Sequence, residues 1–335
     1  MKANTETPLI SVVIPVYNVK EYIERGFQSL RNQTYSNIEV IYVDDCSTDG
    51  SFEECIRLCA TDPRFKALRM VQNSGAGNTR QYGIEQATGT YVGFVDADDF
   101  ADPDMYTILY HTLTEHQADI ACANAYYEYE DGSRKPIFPP STQSVLLSTK
   151  EAIVRMHHKQ GIGYSLWDKL FRRDLWLKHP MRTQPFEDHA VLPYLFQSAQ
   201  RIALCSQPLY HYVQRQGSLM HSKFNAQKEF AAFMLFYHET RLLEQEYGVI
   251  GLNTVVRKGV HYLNHLCVLP LNQEHLSLYQ QTVERMHEYD HLPMKMGLIL
   301  RLKRYFLLHH YNAYRKGYIL FMKTFKRRRY NELNG

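Results

Sequence analysis

Residues 9–16 read Leu-Ile-Ser-Val-Val-Ile-Pro-Val, an apolar run of strand length in which no polar face alternates with an apolar one. Such a strand must be covered on both sides, which is the situation of a parallel sheet sandwiched between helices. An amphipathic stretch follows from Glu21 to Gln33, and Glu39-Val-Ile-Tyr-Val43 supplies a second strand that ends in Asp44 and Asp45. The alternation continues with helical patterns over 51–60 and 77–88, a strand over 66–71 and another over 91–95. Strand and helix in strict turn predict a doubly wound α/β domain with a mostly parallel sheet. In such sheets ligands lie beyond the carboxyl ends of the strands, where Tyr17, Asp44, Asp45, Asp96 and Asp98 are expected to gather.

The remainder of the chain is less regular. A Pro-rich break lies at 136–140, a helix is expected from Lys150, and a loop is expected around Gln184-Pro-Phe-Glu187-Asp188. From Ala226 onward Phe230, Phe233, Met234 and Tyr237 share one helical face, which predicts a helical appendage. The expected division is therefore 1–225, with a nucleotide-binding half at 8–105 and an acceptor half at 106–225, followed by a helical region at 226–335.

Charge separates these regions further. Residues 291–331 hold eleven Lys and Arg and no Asp or Glu, in a chain of formal net charge +3, so the remaining residues carry a net −8. Leu307, Tyr311, Tyr314, Tyr318, Phe321 and Phe325 step by three and four, an aromatic stripe on a basic helix. That pattern predicts contact with an anionic membrane surface through residues 296–330. Packing on the catalytic domain or on a partner helix is the other reading. The acidic body and the absence of a nucleic-acid motif argue against nucleic-acid binding. No run of about 18 apolar residues occurs and residues 1–8 lack the apolar core of a signal peptide, so a cytoplasmic protein, peripheral at the inner face of the cell membrane, is expected. Six cysteines in 335 residues are too sparse for a disulfide scaffold and lack zinc-ligand spacing.

The motifs that carry chemistry are acidic loops at strand ends. Asp96-Ala97-Asp98-Asp99 can present oxygen ligands to a divalent cation, or can simply form an acidic turn before the next helix. Asp49 and Ser51 read equally well as caps of the helix they precede. Asn73-Ser-Gly75-Ala-Gly77-Asn-Thr-Arg80 is a glycine-containing loop entering a helix, with Arg80 able to approach a phosphate or to pair with the acidic loops. Neither the nucleotide P-loop nor GxGxxG spacing is present.

Taken in order, Ser11-Val-Val-Ile-Pro15-Val-Tyr17-Asn18, Gln33-Thr-Tyr35, Asp44-Asp45, Asn73 to Arg80, Asp96-Ala-Asp98-Asp99, Trp167-Asp-Lys169-Leu and Glu187-Asp188 resemble a family 2 glycosyltransferase of the GT-A fold, the type found in bacterial polysaccharide and lipopolysaccharide synthesis. The resemblance covers roughly residues 8–225. It implies an inverting transfer of a hexose or N-acetylhexosamine from a UDP-sugar to a hydroxyl of a lipid-linked glycan acceptor, with Mg²⁺ or Mn²⁺ as cofactor. On that resemblance Pro15, Tyr17, Asp44, Asp45, Arg80, Asp96, Ala97 and Asp98 bind the nucleotide sugar, with Asp98 as the metal ligand. Asp188, beside Glu187, is the implied general base, and Trp167, Lys169, Arg215 and His221 are implied to line the acceptor or diphosphate side. Cys46 stands where the family usually has Gly, and Val213 where Arg usually follows Tyr210-His-Tyr212. A non-catalytic scaffold that keeps the sugar-nucleotide fold is the competing expectation; intact Asp98 and Asp188 weigh against it.

Overall fold

The computed structural model describes residues 7–182, 185–215, 225–247, 252–270, 272–290 and 297–327, which form two compact units divided at Gln216/Gly217. The first opens with β1 (Ile10–Val16), α1 (Ile23–Arg31), β2 (Ile38–Asp44), α2 (Ser51–Cys59), β3 (Phe65–Arg69), α3 (Gly75–Glu85) and β4 (Tyr91–Phe94). It continues through β5 (Phe100–Ala101), α4 (Met105–His116), β6 (Ile120–Tyr129), β7 (Arg134–Pro136), β8 (Ser144–Leu147), α5 (Thr149–His157), β9 (Lys169–Arg172), α6 (Arg173–Lys178), α7 (Glu187–Ser198) and β10 (Ile202–Gln214).

All of these strands belong to one sheet, ordered β3-β2-β1-β4-β9-β6-β10-β5, with β7 added on β6 and β8 on β10. β1 pairs parallel with β2 and β4, and β2 parallel with β3, as four strands joined by crossover helices must. β9 runs antiparallel to both neighbours, β4 and β6, and so splices the first four strands to the second half of the domain. The fold is thus α/β with a mostly parallel core and antiparallel additions.

The burial of β1 is nearly complete on both faces, as its sequence requires. One layer is supplied by α1, whose Ile23, Phe27 and Leu30 are buried. On the other, α3 approaches the sheet closely: a Cβ on Gly83 would stand 2.3 Å from Val13 Cγ1, so glycine sets that spacing. The helix expected from Lys150 is α5, closed by a capping box between Ser148 and Glu151.

The second unit holds α8 (Ala226–Tyr247), α9 (Leu252–Leu266), α10 (Gln273–His287), α11 (Leu298–His309) and α12 (Tyr311–Phe325). Phe233 and Tyr237 of α8 are buried, while Phe230 and Met234 are half-buried. The basic stripe read from the sequence is interrupted at His310, where the chain leaves the helical conformation. Leu307 and Tyr311 are buried within the unit and Tyr314 and Tyr318 half-buried, so only Phe321 and Phe325 of that stripe face solvent. This corrects the expectation of one continuous exposed aromatic face: the non-helical backbone at His310 breaks the helix, and the first half of the stripe is needed for the unit's own core. No described helix is long and apolar enough to cross a membrane.

Candidate functional site

Because β1, β2 and β4 are parallel and in register, Val16 lies opposite Asp44, and the loops after all three strands open on the same edge. Tyr17 is half-exposed there, immediately after the strand. Asn18 takes a left-handed conformation (φ 51°), which Asn tolerates, and its Oδ1 accepts from Thr48 N at 2.9 Å. Cys46 is also left-handed (φ 61°), which gives a backbone reason for glycine at this turn in the family.

The paired aspartates after β2 are both engaged by the protein. Asp44 is fully buried, with Oδ2 accepting from Ser47 N at 3.1 Å and lying 3.2 Å from Arg69 Nε. Asp45 accepts from Ser74 N at 2.7 Å and Gly75 N at 2.8 Å, so its carboxylate docks the N-terminus of α3, where the helix dipole favours negative charge. Both carboxylates, expected to face the nucleotide base, also fasten the loops that form the edge: Asp45 supplies the acceptor that the buried amide groups at the start of α3 demand.

Asp96, Ala97, Asp98 and Asp99 follow β4, with Ala97 buried. α1 runs close beneath them: a Cβ on Gly26 would lie 3.0 Å from the Asp99 carbonyl oxygen. Asp99 is buried and structural, accepting from the Tyr210 hydroxyl and from Val213 N, each at 2.8 Å. The same Tyr210 hydroxyl accepts from Asp96 N at 3.1 Å, and Trp167 stacks on the Tyr210 ring at 4.3 Å. Tyr210 thus ties β10 to the acidic loop and to Trp167, a role that no pattern around it announces.

Asp98 points elsewhere, to Arg215, whose Nη2 lies 2.5 Å from Asp98 Oδ2. Burial, then the like charge of Asp96, raises the Asp98 carboxyl above its ordinary value, with Arg215 opposing. Arg215, expected near a diphosphate, is held here between this carboxylate and the face of Tyr22, 4.6 Å from the ring centre. His221, expected on the same side, lies outside the described residues.

Arg80 is the junction of the site. Its side chain is buried and donates to Asp96 Oδ1 at 2.8 Å and to Glu187 Oε1 at 2.7 Å, with Asp188 Oδ1 3.6 Å away. Of its two expected roles, the pairing with acidic groups is the one observed: three carboxylates keep a guanidinium buried. Glu187 and Asp188 form the first turn of α7, not a loop, and Phe186 before them is left-handed (φ 61°). Asp188 Oδ1 is buried with no hydrogen-bond partner. Burial pushes the Asp188 carboxyl from 3.8 up to about 7; Arg80 and Lys169 pull it down while Glu187 and Asp96 push it further.

Lys169, expected to line a pocket, is wholly buried. It donates to Asp168 Oδ1 at 2.7 Å and to the carbonyl oxygens of Ser165 and Gly163 at 2.6 and 3.0 Å. A lysine so placed is a tether for the 163–168 turn, because an ammonium removed from water needs its three donors filled.

A mostly parallel sheet with an acidic strand-end edge, and a second acidic pair brought to it from α7, is the arrangement of an α/β domain of the GT-A type, and the comparisons with known proteins agree. The glycosyl transferase family 2 model matches residues 11–174. The chain is 31% identical to glycosyltransferase GlyG of Streptococcus pneumoniae over 226 residues, 65% of this chain and 74% of that protein. It is 30% identical to the uncharacterized glycosyltransferase EpsJ of Bacillus subtilis over 73% of this chain and 72% of that one. Its fold resembles that of TarS 1–349 of S. aureus, with a TM-score of 0.62 at 20% identity over 92% and 91% of the two chains; TarS has also been solved with UDP-GlcNAc. The protein belongs to glycosyl transferase family 2 and is a glycosyltransferase.

Proposed function

We propose that the protein transfers a hexose or N-acetylhexosamine from a UDP-sugar to a hydroxyl of a glycan acceptor, with inversion at the sugar C1 and with Asp188 as general base. The observation that carries this reading is Asp188 itself: a carboxylate oxygen without a hydrogen-bond partner, on a helix start fastened through Arg80 to the strand-end loop at Asp96. An acceptor hydroxyl is a weak nucleophile at neutral pH, and a base whose carboxyl titrates near 7 is matched to removing its proton. In the reaction the acceptor oxygen bonds to C1, the C1–O bond to phosphate breaks, the electron pair leaves with UDP and the proton passes to Asp188. The UDP-GlcNAc complex of the structurally similar TarS supports a uridine diphosphate donor.

A divalent cation fits the acidic loop. Asp98 offers a hard oxygen donor beside a second carboxylate, Asp96, on the same short loop. Among the described residues no three His, Cys, Asp or Glu side chains gather as a metal cluster. Mg²⁺ or Mn²⁺ bound by Asp98 would supply stabilisation of the negative charge on the departing diphosphate. On the protein's side, Pro15, Tyr17, Asp44, Asp45, Arg80, Asp96 and Ala97 are assigned to the nucleotide sugar, and Trp167, stacked on Tyr210, to the acceptor or diphosphate side. The acceptor is proposed to be carried on lipid at the inner face of a cell membrane in polysaccharide assembly, which accords with the basic helices of the second unit.

The test is UDP release from a panel of UDP-sugars, with Mn²⁺ or with EDTA, by the wild type and by Asp98→Ala and Asp188→Ala. Metal-dependent turnover of one donor, lost in both variants, is expected. Equal UDP release by wild type and variants, with membrane lipid extract supplied as acceptor, would instead favour a sugar-nucleotide-binding scaffold.

A further inference from the structure

A helix at the surface of a folded unit ordinarily buries one apolar stripe and shows water a polar remainder. α11 and α12 depart from this. α11 turns Leu307 and Leu308 into the core, yet its opposite side carries Leu298, Ile299, Leu302, Tyr305 and Phe306, with Leu298 and Ile299 each 72% exposed. α12 buries Tyr311 and Met322, and on its outer side presents Leu320 and Phe325, 67% and 73% exposed, together with Ala313, Gly317 and Phe321. The two outer faces meet in an apolar groove of about 420 Å³ lined by Phe306, Ala313, Tyr314, Gly317, Tyr318 and Phe321.

Charge says what covers this second apolar face. Residues 297–327 contain eight Lys and Arg and no Asp or Glu. Arg304 is spent on Asp290 and Arg315 on the Leu269 carbonyl oxygen. Lys316, Lys323, Lys326 and Arg327 are exposed, and at 100° per residue Lys316 and Lys323 fall on one edge of the apolar arc of α12. A protein partner would need an acidic, apolar face, and two copies meeting through this same face would bring like charges together. A surface with an apolar interior and anionic head groups meets both halves of the pattern.

We infer that α11 and α12 lie in the plane of an anionic phospholipid bilayer, with Leu298, Leu302, Phe306, Leu320, Phe321 and Phe325 inserted at acyl depth and the lysine edge of α12 on the lipid phosphates. The contact is made by the outward faces, which include only Phe321 and Phe325 of the stripe read from the sequence; its Leu307 and Tyr311 are consumed by the unit's core. At about 18 and 22 Å, helices of 12 and 15 residues are too short to span and long enough to lie flat. The groove gives one acyl chain an aromatic-walled seat.

Co-sedimentation of the full chain with vesicles tests this, using phosphatidylglycerol/phosphatidylethanolamine and, separately, phosphatidylcholine. Binding to the anionic vesicles, at least about tenfold stronger than to phosphatidylcholine and weakened by high salt, is expected. Leu320→Glu/Phe325→Glu should lower partitioning by at least about tenfold, and each of Lys316→Glu and Lys323→Glu by about fivefold. These side chains are outside the core, so far-UV circular dichroism and thermal midpoint should match the wild type. Asp188→Asn should bind vesicles normally, so a failure of the transferase reading leaves this result standing. Wild type that stays in the supernatant with anionic vesicles overturns the inference. So does unchanged binding by the Leu320/Phe325 variant, or lipid-free sedimentation as a dimer that this variant dissolves.

Discussion

Arg80 and Glu187 are 107 positions apart in the chain and joined in the fold by a hydrogen bond of 2.7 Å. Through that bond α3, which packs on β1, holds the first turn of α7, and the same guanidinium reaches Asp96 at 2.8 Å. One buried cation thereby connects the loop assigned to the donor with the carboxyl pair assigned to proton transfer. Distances between the two are fixed by a rigid fork, which is why arginine and not lysine suits the position.

Replacing Arg80 separates its structural and electrostatic parts. Arg80→Met leaves Asp96, Glu187 and Asp188 without their common cation and should lower stability by about 3–5 kcal/mol, measured by urea unfolding. Arg80→Lys keeps the charge but cannot reach Asp96 and Glu187 together. It should unfold at a urea concentration between wild type and Arg80→Met, while kcat/KM falls by about a hundredfold through misplacement of Asp188. Equal stability of all three proteins would show that the carboxylates do not depend on Arg80.

The raised Asp188 carboxyl makes stability depend on pH. Between its ordinary value of 3.8 and about 7 the folded chain holds a proton that the unfolded chain has released, so this group's contribution is full at low pH and is lost as pH rises through that window. Asp188→Asn has no such proton. The fall in thermal midpoint from pH 5 to pH 8 should therefore be smaller in the variant than in the wild type, by differential scanning calorimetry. An identical fall in both would place the Asp188 carboxyl at an ordinary value.

Arg215 pairs with the Asp98 carboxylate that is proposed to hold the divalent cation, so the two cations would compete for it. Asp98→Asn should weaken Mn²⁺ binding in the presence of UDP by more than the roughly 10–100-fold that loss of an outer-shell partner costs. Arg215→Gln should strengthen Mn²⁺ binding in the absence of nucleotide, because the resident cation is gone. Titration of the free Mn²⁺ electron paramagnetic resonance signal reads both, and Mn²⁺ affinity untouched by either substitution would remove Asp98 from the metal site.

Gly83 tests the close packing beneath the site. The added methyl of Gly83→Ala would overlap Val13 Cγ1, so α3 must shift or Val13 must rotate, at a cost of about 1–3 kcal/mol. Gly83→Ala/Val13→Ala should recover part of that loss in thermal unfolding. No recovery would place the strain elsewhere on α3.

The strands before the site are legible because burial on both faces leaves an unambiguous apolar run: residues 9–16 and 91–95 become β1 and β4 almost residue for residue. Their acidic ends are legible for the same reason, since polarity returns where the sheet stops. What escapes a linear reading is pairing across distance. Arg80 could have met phosphate or carboxylate on local grounds, and only the arrival of α7 decides it. Lys169 and Asp168 adjoin each other in the sequence, yet their mutual burial depends on β9 entering the sheet antiparallel between β4 and β6. Tyr210 carries no motif for its bond to Asp99, 111 residues earlier. The aromatic stripe of 307–325 was a matter of phase: a helix break at His310 and a core that needs Leu307 rotate its halves to different surroundings.

The assignment of Asp188 as base is tested most directly by the pH dependence of kcat/KM for sugar transfer or UDP release, wild type against Asp188→Asn, with the fold of each checked across the range. The wild type should lose activity on the acid side with an apparent pKa of about 7, where the carboxyl gains its proton, and Asp188→Asn should retain only a small rate without that limb. An acid limb that persists unchanged in Asp188→Asn would contradict the assignment and put proton removal on another group.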